Sequence, residues 1–381
     1  MKILFIKEQR TKSGIEGSAK NVFYRCIELN KRNIPYLVLY NAKDEFYTLM
    51  LENNVNVKYV NFPSMSIKSI FKIREVKKRI QDIIEEEKII HIHVHFPYLL
   101  SFLDKKWNIP ITIHHHNAFN ENKILEFFNI KEILYPKKVL KNLYNKLIGF
   151  DFSKADRCIA VSYAAKQTAS FKYGMKSDKI DVVYNGITQI NENNYKSLKK
   201  ELGYNDSDIL ILSVGRVTKA KGVEDFCEVA KYFSNKTNYK FIFVGGYNDI
   251  NYYNSIIEKY NKYVNFLGLR KDVFNLYKTS DIFLFLTHRE ACPNVIIEAM
   301  NFSLPTIGWD VVGVNELVKN DLNGLICKFG DIKSICDSLE KVINDKKLYD
   351  IYSKNSLLEA KKYTIEENTD KILAIFKSLE K

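Results

Sequence analysis

Short apolar runs separated by amphipathic helical stretches, a pattern that occurs twice along 381 residues, restrict the fold of this chain more than any other feature. In the first half the runs fall near residues 2–6, 36–40, 89–94, 111–113, 158–161 and 181–183. In the second half they fall near 209–214, 240–244, 263–267, 282–286, 306–308 and 324–327. Continuous apolar runs of this length suit strands buried on both faces, and their alternation with helices predicts a parallel sheet wrapped by helices. Between two of the runs, Ile67, Ile70, Phe71, Ile73, Val76, Ile80, Ile83 and Ile84 recur at helical spacing, with Lys68, Lys72, Lys77 and Lys78 on the other side. That spacing predicts one amphipathic helix. The length exceeds the roughly 250–300 residues at which a single core stops growing, so two α/β domains in tandem are expected. The polar stretch 191–208 lacks apolar periodicity and is the expected hinge. The closing helical stretch, 365–379, is too short to stand alone and must dock on a preceding domain.

Several classes are excluded by composition. The opening MKILFIKEQR holds an apolar run of four, too short for the roughly 7–15-residue core of a signal peptide. The apolar stretch 89–103 is broken by His91, His93, His95 and Pro97, and it falls short of the roughly 18 apolar residues of a membrane span. Six cysteines without a C-x-x-C pair fit a reduced, cytoplasmic compartment. A net charge of +13 and a pI near 9.1 require something anionic: nucleic acid, acidic lipid headgroups or a diphosphate. Because the basic residues are dispersed and form no nucleic-acid motif, no nucleic-acid partner is expected.

Two constellations carry chemistry. In the first, Arg289-Glu290-Ala291-Cys292-Pro293-Asn294 leads into Glu298 and Met300. Pro293 suits the first turn of a helix, which leaves Glu290 in the loop and Glu298 about one turn inside. Free amides at a helix start can bond sugar hydroxyls, while carboxylates accept from hydroxyl pairs on a sugar or ribose. The bland alternative is an ordinary early-turn glutamate and a solvated loop charge. In the second, the run 209–214 ends in Gly215-Arg216, followed by Lys219, Lys221 and Gly222. A strand-to-helix turn of this kind sets cations and free N–H groups around a diphosphate, with Arg216 forking two oxygens and Lys221 supplying a point charge. A solvated basic loop is the competing account.

These motifs, with Ala155-Asp156-Arg157, Val161-Ser162 and Tyr184-Asn185-Gly186, resemble glycosyltransferase family 4 over nearly the whole chain. The resemblance implies the α/β GT-B fold, two Rossmann-like domains with a cleft between them and a C-terminal helix that crosses back to the first domain. The expected boundaries are 1–187 for an acceptor-binding domain, 188–361 for a nucleotide-sugar-binding domain and 362–381 for the closing helix. It also implies a retaining, metal-independent hexosyltransferase that needs no cofactor and uses a nucleotide-sugar, a UDP-sugar foremost. By the same resemblance Glu290 and His114 sit at the transferred sugar as catalytic groups and Glu298 at the ribose, with Arg216 and Lys221 at the diphosphate. Gly17, Gly245, Gly246, Ala291, Cys292, Pro293 and Asn294 complete the donor site, with Ser18, His95, His116 and Asn185 as further substrate contacts. The chain departs from the family pattern at Gly17-Ser18 and at Val312-Gly313, where adjacent glycines are common, and at Asn185-Gly186-Ile187-Thr188, where an aspartate commonly follows the hydrophobic residue.

The alternating His91, His93 and His95 and the run His114-His115-His116 invite a metal site, but polar groups also collect at strand ends to meet substrate, and the expectation is no metal. Lys123, Lys131, Lys137, Lys138, Lys141 and Lys146 among Phe127, Phe128, Ile133, Leu134, Leu140 and Leu143 form a basic, apolar segment across 120–147. It is either a solvated face or a surface for anionic lipid headgroups. In the second case the acceptor is a lipid-linked saccharide of surface polysaccharide synthesis, met by a peripheral protein at the inner face of the membrane. The open alternatives are another GT-B enzyme, an epimerase or a phosphorylase, and at a distance a basic nucleic-acid-binding protein.

Overall fold

The structure, a computed structural model, describes residues 2–8, 17–63, 70–118 and 152–380. The chain forms two compact units: the first runs to Gly186 and takes in the C-terminus from Ile365, and the second is Ile187–Thr364.

The first unit is built on seven parallel strands, β1 (Ile3–Lys7), β2 (Tyr36–Tyr40), β3 (Val57–Tyr59), β4 (His91–Val94), β5 (Ile111–His115), β6 (Arg157–Ala160) and β7 (Ile180–Val182), in the order β3-β2-β1-β4-β5-β6-β7. Every residue of β1, β2, β4 and β5 is buried; β1 and β2 accordingly read as near-continuous apolar runs, while β4 and β5 carry buried histidines among their apolar residues. The helices are α1 (Gly17–Lys31), α2 (Glu45–Glu52), α3 (Ile70–Glu86) and α4 (Tyr163–Tyr173). α3 buries Val76, Ile80, Ile83 and Ile84 and exposes Lys72 and Lys78, as its spacing predicts. α4 opens on Ser162, whose hydroxyl accepts from Ala165 N, and closes on Gly174 at φ +66°, the left-handed cap that glycine takes without strain.

The second unit repeats the plan with β8 (Ile209–Val214), β9 (Tyr239–Val244), β10 (Val264–Phe266), β11 (Ile282–Phe285), β12 (Thr306–Trp309) and β13 (Gly324–Cys327), in the order β10-β9-β8-β11-β12-β13. Its helices are α5 (Val223–Tyr232), α6 (Ile250–Tyr260), α7 (Val273–Thr279), α8 (Asn294–Asn301), α9 (Val314–Leu317), α10 (Ile332–Asn344) and α11 (Lys346–Ala360). The last helix, α12 (Ile365–Lys377), belongs to the first unit, as the GT-B resemblance implies. Its Ile372, Leu373 and Phe376 enter the core beside Val22, Cys26 and Leu29 of α1. Arg25 Nη2 donates to Asn368 Oδ1 at 2.9 Å, and Asn368 Nδ2 donates to Tyr184 O at 2.6 Å. Burying three large apolar side chains at roughly 1.5–3 kcal/mol each is ample to hold so short a helix.

The stretch 191–208 is not a hinge. It is fastened to the second unit, where Leu198 is buried and its N–H donates to Thr279 Oγ1 at 2.8 Å. Lys196 N bonds Asn275 Oδ1 at 3.1 Å, and Lys278 pairs with Glu192 at 2.8 Å. One apolar anchor and a few side-chain caps suffice, and neither leaves a periodic trace in sequence.

In both sheets the strand order reverses beside the first strand, between β1 and β4 and again between β8 and β11. Ligands of open α/β sheets bind at the carboxyl ends of strands at such a switch point, where two loops diverge and leave a crevice.

Candidate active site

At the switch point of the second unit the loops after β8, β9 and β11 are locked together by their backbones. Val217 N donates to Gly246 O at 2.8 Å, and His288 N donates to Ala220 O at 3.0 Å. Thr287 Oγ1 bonds Ala220 O as well, at 3.1 Å. The approach is so close that glycine is obligatory at two points. A Cβ on Gly222, at φ +64°, would overlap the carbonyl of Leu286, and one on Gly245 would overlap that of Gly215. Gly245, assigned by resemblance to the donor, is thus already required by packing.

Lys221 folds over this floor, its Cγ 4.0 Å from where a Cβ of Gly215 would lie, and its ammonium pairs with the carboxylate of Glu290. Arg216 is exposed beside it. The structure therefore joins Lys221 and Glu290, 69 positions apart, as an ion pair in the free chain. Ala291, Cys292, Pro293 and Asn294 are buried and lead into α8, whose start has no side-chain cap; the Ile296 N–H turns back to Pro293 O at 3.1 Å. Glu298 lies just over one turn inside, 3% exposed. Its Oε2 accepts from the Tyr277 hydroxyl at 3.0 Å.

Several parts of the site have no mark in the sequence analysis. Tyr277 is one, donating from α7. Another is Asp225, whose Oδ2 meets His288 Nε2 at 2.9 Å and Trp309 Nε1 at 3.1 Å, tying the start of α5 to the ends of β11 and β12. Gly313, noted above only as part of a departure from the family pattern, is at φ +81°, where a Cβ would stand 2.5 Å from the carbonyl oxygens of Glu290 and Ala291. His288 adjoins Arg289 and was open to notice; the partners of the other two lie too far along the chain. A cavity of about 690 Å³ lined by Tyr239, Lys240, Tyr263 and Val264 opens at the beginnings of β9 and β10, the opposite edge of the sheet, and takes no part in this site.

In the first unit, His91 and His93 of β4 and Thr112 and His114 of β5 share one buried face, with His95 and His116 just beyond the strand ends. His95 Nδ1 meets His116 Nε2 at 3.1 Å, and the His114 and His116 rings stack at 4.5 Å. Burial pushes all of these imidazoles below the ordinary histidine range, His91 to about 3 and His93, His95, His114 and His116 well down. Each ring is therefore neutral near pH 7. Gly17 and Ser18 open α1, Gly17 exposed, and Asn185 is buried after β7. The basic segment 120–147 and residues 9–16 lie outside the described residues.

Among the described residues, His93, His95 and His114 are the group able to hold a metal, each offering a nitrogen within 4.8 Å of the others. The fit is poor. The buried Arg25 guanidinium adds to the depression of all three pKa values, and a dication there would face that uncompensated charge.

Two family models match: the one described as Glycosyltransferase Family 4 over residues 16–189, and the one described as Glycosyl transferases group 1 over residues 194–358. The UDP-Gal:alpha-D-GlcNAc-diphosphoundecaprenol alpha-1,3-galactosyltransferase of Escherichia coli is 28% identical over 76% of this chain and 73% of its own length. The capsular polysaccharide biosynthesis glycosyltransferase CapM of Staphylococcus aureus is 27% identical over 57% of this chain, a match that spans about half of its length, 54%. Among solved structures, HepE of Anabaena in complex with UDP and glucose superposes with a TM-score of 0.76 at 19% identity, covering 99% of this chain and 100% of HepE.

Proposed function

The chain belongs to glycosyltransferase family 4 and has the GT-B fold, and from that premise we propose that it moves a glycosyl residue from a nucleoside diphosphate sugar, a UDP-sugar foremost, to a saccharide or lipid-linked saccharide. The observation that carries the proposal is the switch point of the second unit. There Lys221 and Glu290 meet over glycines 215, 222 and 245 beside the uncapped start of α8. A fixed cation and an adjacent exposed arginine suit a diphosphate. Carboxylates on either side suit the hydroxyls of sugar and ribose.

In this reading Lys221 and Arg216 hold the diphosphate and stabilise the charge that grows on the leaving phosphate oxygen. Glu298, aimed by Tyr277, takes the ribose hydroxyls. Glu290 and His114 orient the sugar and stabilise positive charge at the anomeric carbon. The new bond from the acceptor oxygen forms on the face from which the phosphate departs, and the acceptor proton passes to the departing phosphate oxygen, so the configuration is retained. No protein nucleophile and no metal are required. The identity of the first relative and the basic segment 120–147 favour a lipid-linked acceptor at the inner, cytoplasmic face of a membrane. No helix among the described residues is long and apolar enough to cross one.

A thermal-shift panel of UDP-, GDP- and ADP-sugars tests the donor. A ligand at about 100 times its Kd adds about 2.7 kcal/mol to the folded state, and the expected result is a rise with UDP-sugars that EDTA leaves unchanged. Silence from all three classes would refute the proposal. A covalent sugar adduct on Glu290, found by mass spectrometry, would replace the same-face displacement with a double displacement.

A further inference from the structure

A chain of buried hydrogen bonds runs along β4 and β5 and ends at the imidazole assigned to the sugar. His91 Nε2 meets Thr112 Oγ1 at 3.0 Å, and Thr112 Oγ1 meets His93 Nδ1 at 2.7 Å. His93 Nε2 meets His114 Nδ1 at 3.2 Å. The Thr112 hydroxyl also reaches Ile92 O at 3.4 Å. At the two ends, His91 Nδ1 and His114 Nε2 are buried without a partner.

Because burial keeps the rings neutral, each imidazole carries one proton, and the protons can be placed by counting. A hydroxyl has one hydrogen and two lone pairs. If Thr112 donates to Ile92 O, it accepts from both His91 Nε2–H and His93 Nδ1–H. His93 Nε2 is then a bare acceptor and takes the Nδ1–H of His114, whose own Nε2 is left bare. Every N–H and O–H in the chain is used, and only lone pairs remain over. If Thr112 instead donates to His93 Nδ1, the sense reverses and His114 is left with a buried Nε2–H that no group receives. An orphaned buried donor forfeits its full hydration, so the first arrangement holds.

We propose that Thr112, acting through His93, holds His114 in its Nδ1–H tautomer and so presents Nε2 as an acceptor for a hydroxyl hydrogen of the transferred sugar. The second half rests on the sugar contact proposed above for His114; the tautomer does not. Thr112 and His93 are positioning residues, several ångströms behind the ring that meets substrate. A sugar that offers a hydroxyl at this point is accepted. A deoxy sugar leaves the lone pair unmet, and one that offers a carboxylate sets lone pair against lone pair.

The test uses the full chain labelled with 15N-histidine. Two-bond proton–nitrogen correlations at neutral pH report which nitrogen of each ring carries the proton, and H114Q identifies the His114 signals by their loss. The free protein should show His114 protonated at Nδ1 and bare at Nε2. T112V should let the Nε2–H form appear and lower kcat/KM for the donor about tenfold, the loss expected for one hydrogen bond. T112S, which keeps the hydroxyl, should restore both. A protonated Nε2 in the unmodified chain overturns the proposal, and this measurement stands even if T112V fails to fold. A tautomer unmoved in folded T112V overturns the role of Thr112. If the tautomer is as expected but T112V and H114Q both keep full donor kcat/KM, the sugar contact is refuted and the tautomer lock remains.

Discussion

Mild acid should unfold the first unit well before the second. His91, His93, His95, His114 and His115 are essentially without solvent exposure. Burial lowers His91 to about 3 and His115 to about 4, and His93, His95 and His114 well below the ordinary value. In the unfolded chain each returns to roughly 6.5. The folded values lie below the unfolded one, so the unfolded state binds more protons throughout that interval. Stability is therefore complete above about pH 6.5 and is lost as the pH falls toward the folded values. Between about pH 7 and 5.5 His91 and His115, with folded values of about 3 and about 4, each remove about 1.2 kcal/mol. Together these two remove about 2.4 kcal/mol, and His93, His95 and His114 add to the loss in the same direction, against a total stability of roughly 5–15 kcal/mol for a domain. In the second unit the sequence has a single histidine, His288, and it is partly exposed. Urea melts across this range, with hydrogen exchange read by mass spectrometry on peptides from β4 and β5 and from β8 and β9, would follow each unit. Exchange should quicken in the first unit alone. If its stability at pH 5.5 lies within about 1 kcal/mol of its value at pH 7, the five rings are not held neutral and the reasoning fails.

Gly222→Ala should destabilise the second unit by more than about 3 kcal/mol, because the added methyl meets the Leu286 carbonyl in a left-handed conformation that alanine resists; equilibrium unfolding that shows under 1 kcal/mol would mean this floor can shift. Lys221→Ala should weaken UDP binding by about ten- to a hundredfold, the loss of one charge-assisted bond, while Glu290→Gln should leave UDP affinity equal or improved, since it frees Lys221 from its partner, and should lower kcat. Calorimetric titration of UDP that finds both variants equally weakened would contradict the exchange of partners at Lys221.

The fold was legible where burial writes itself into composition. A strand covered on both faces is mostly apolar, so 36–40 and 209–214 stand out at their true bounds. β3, three residues at a sheet edge reading Val-Lys-Tyr, is only part-buried and gave no run to find. The charged groups beside the switch point were legible for a related reason: glycine and cations directly after an apolar run have few uses other than a turn that meets something anionic. What stayed hidden is whatever depends on two distant stretches arriving at one place. Nothing about Tyr277 in sequence distinguishes it from the other 23 tyrosines, and only the packing of α7 on α8 gives its hydroxyl the carboxylate of Glu298. The histidine stripe lies between the two cases. Its period of two was visible and placed the rings on one face, but the sense of the hydrogen bonds along it is set by Thr112, an unremarked β-branched residue in the neighbouring strand. Period fixes which side chains share a face; only register fixes which of them touch, and it is the touching that decides where a proton sits.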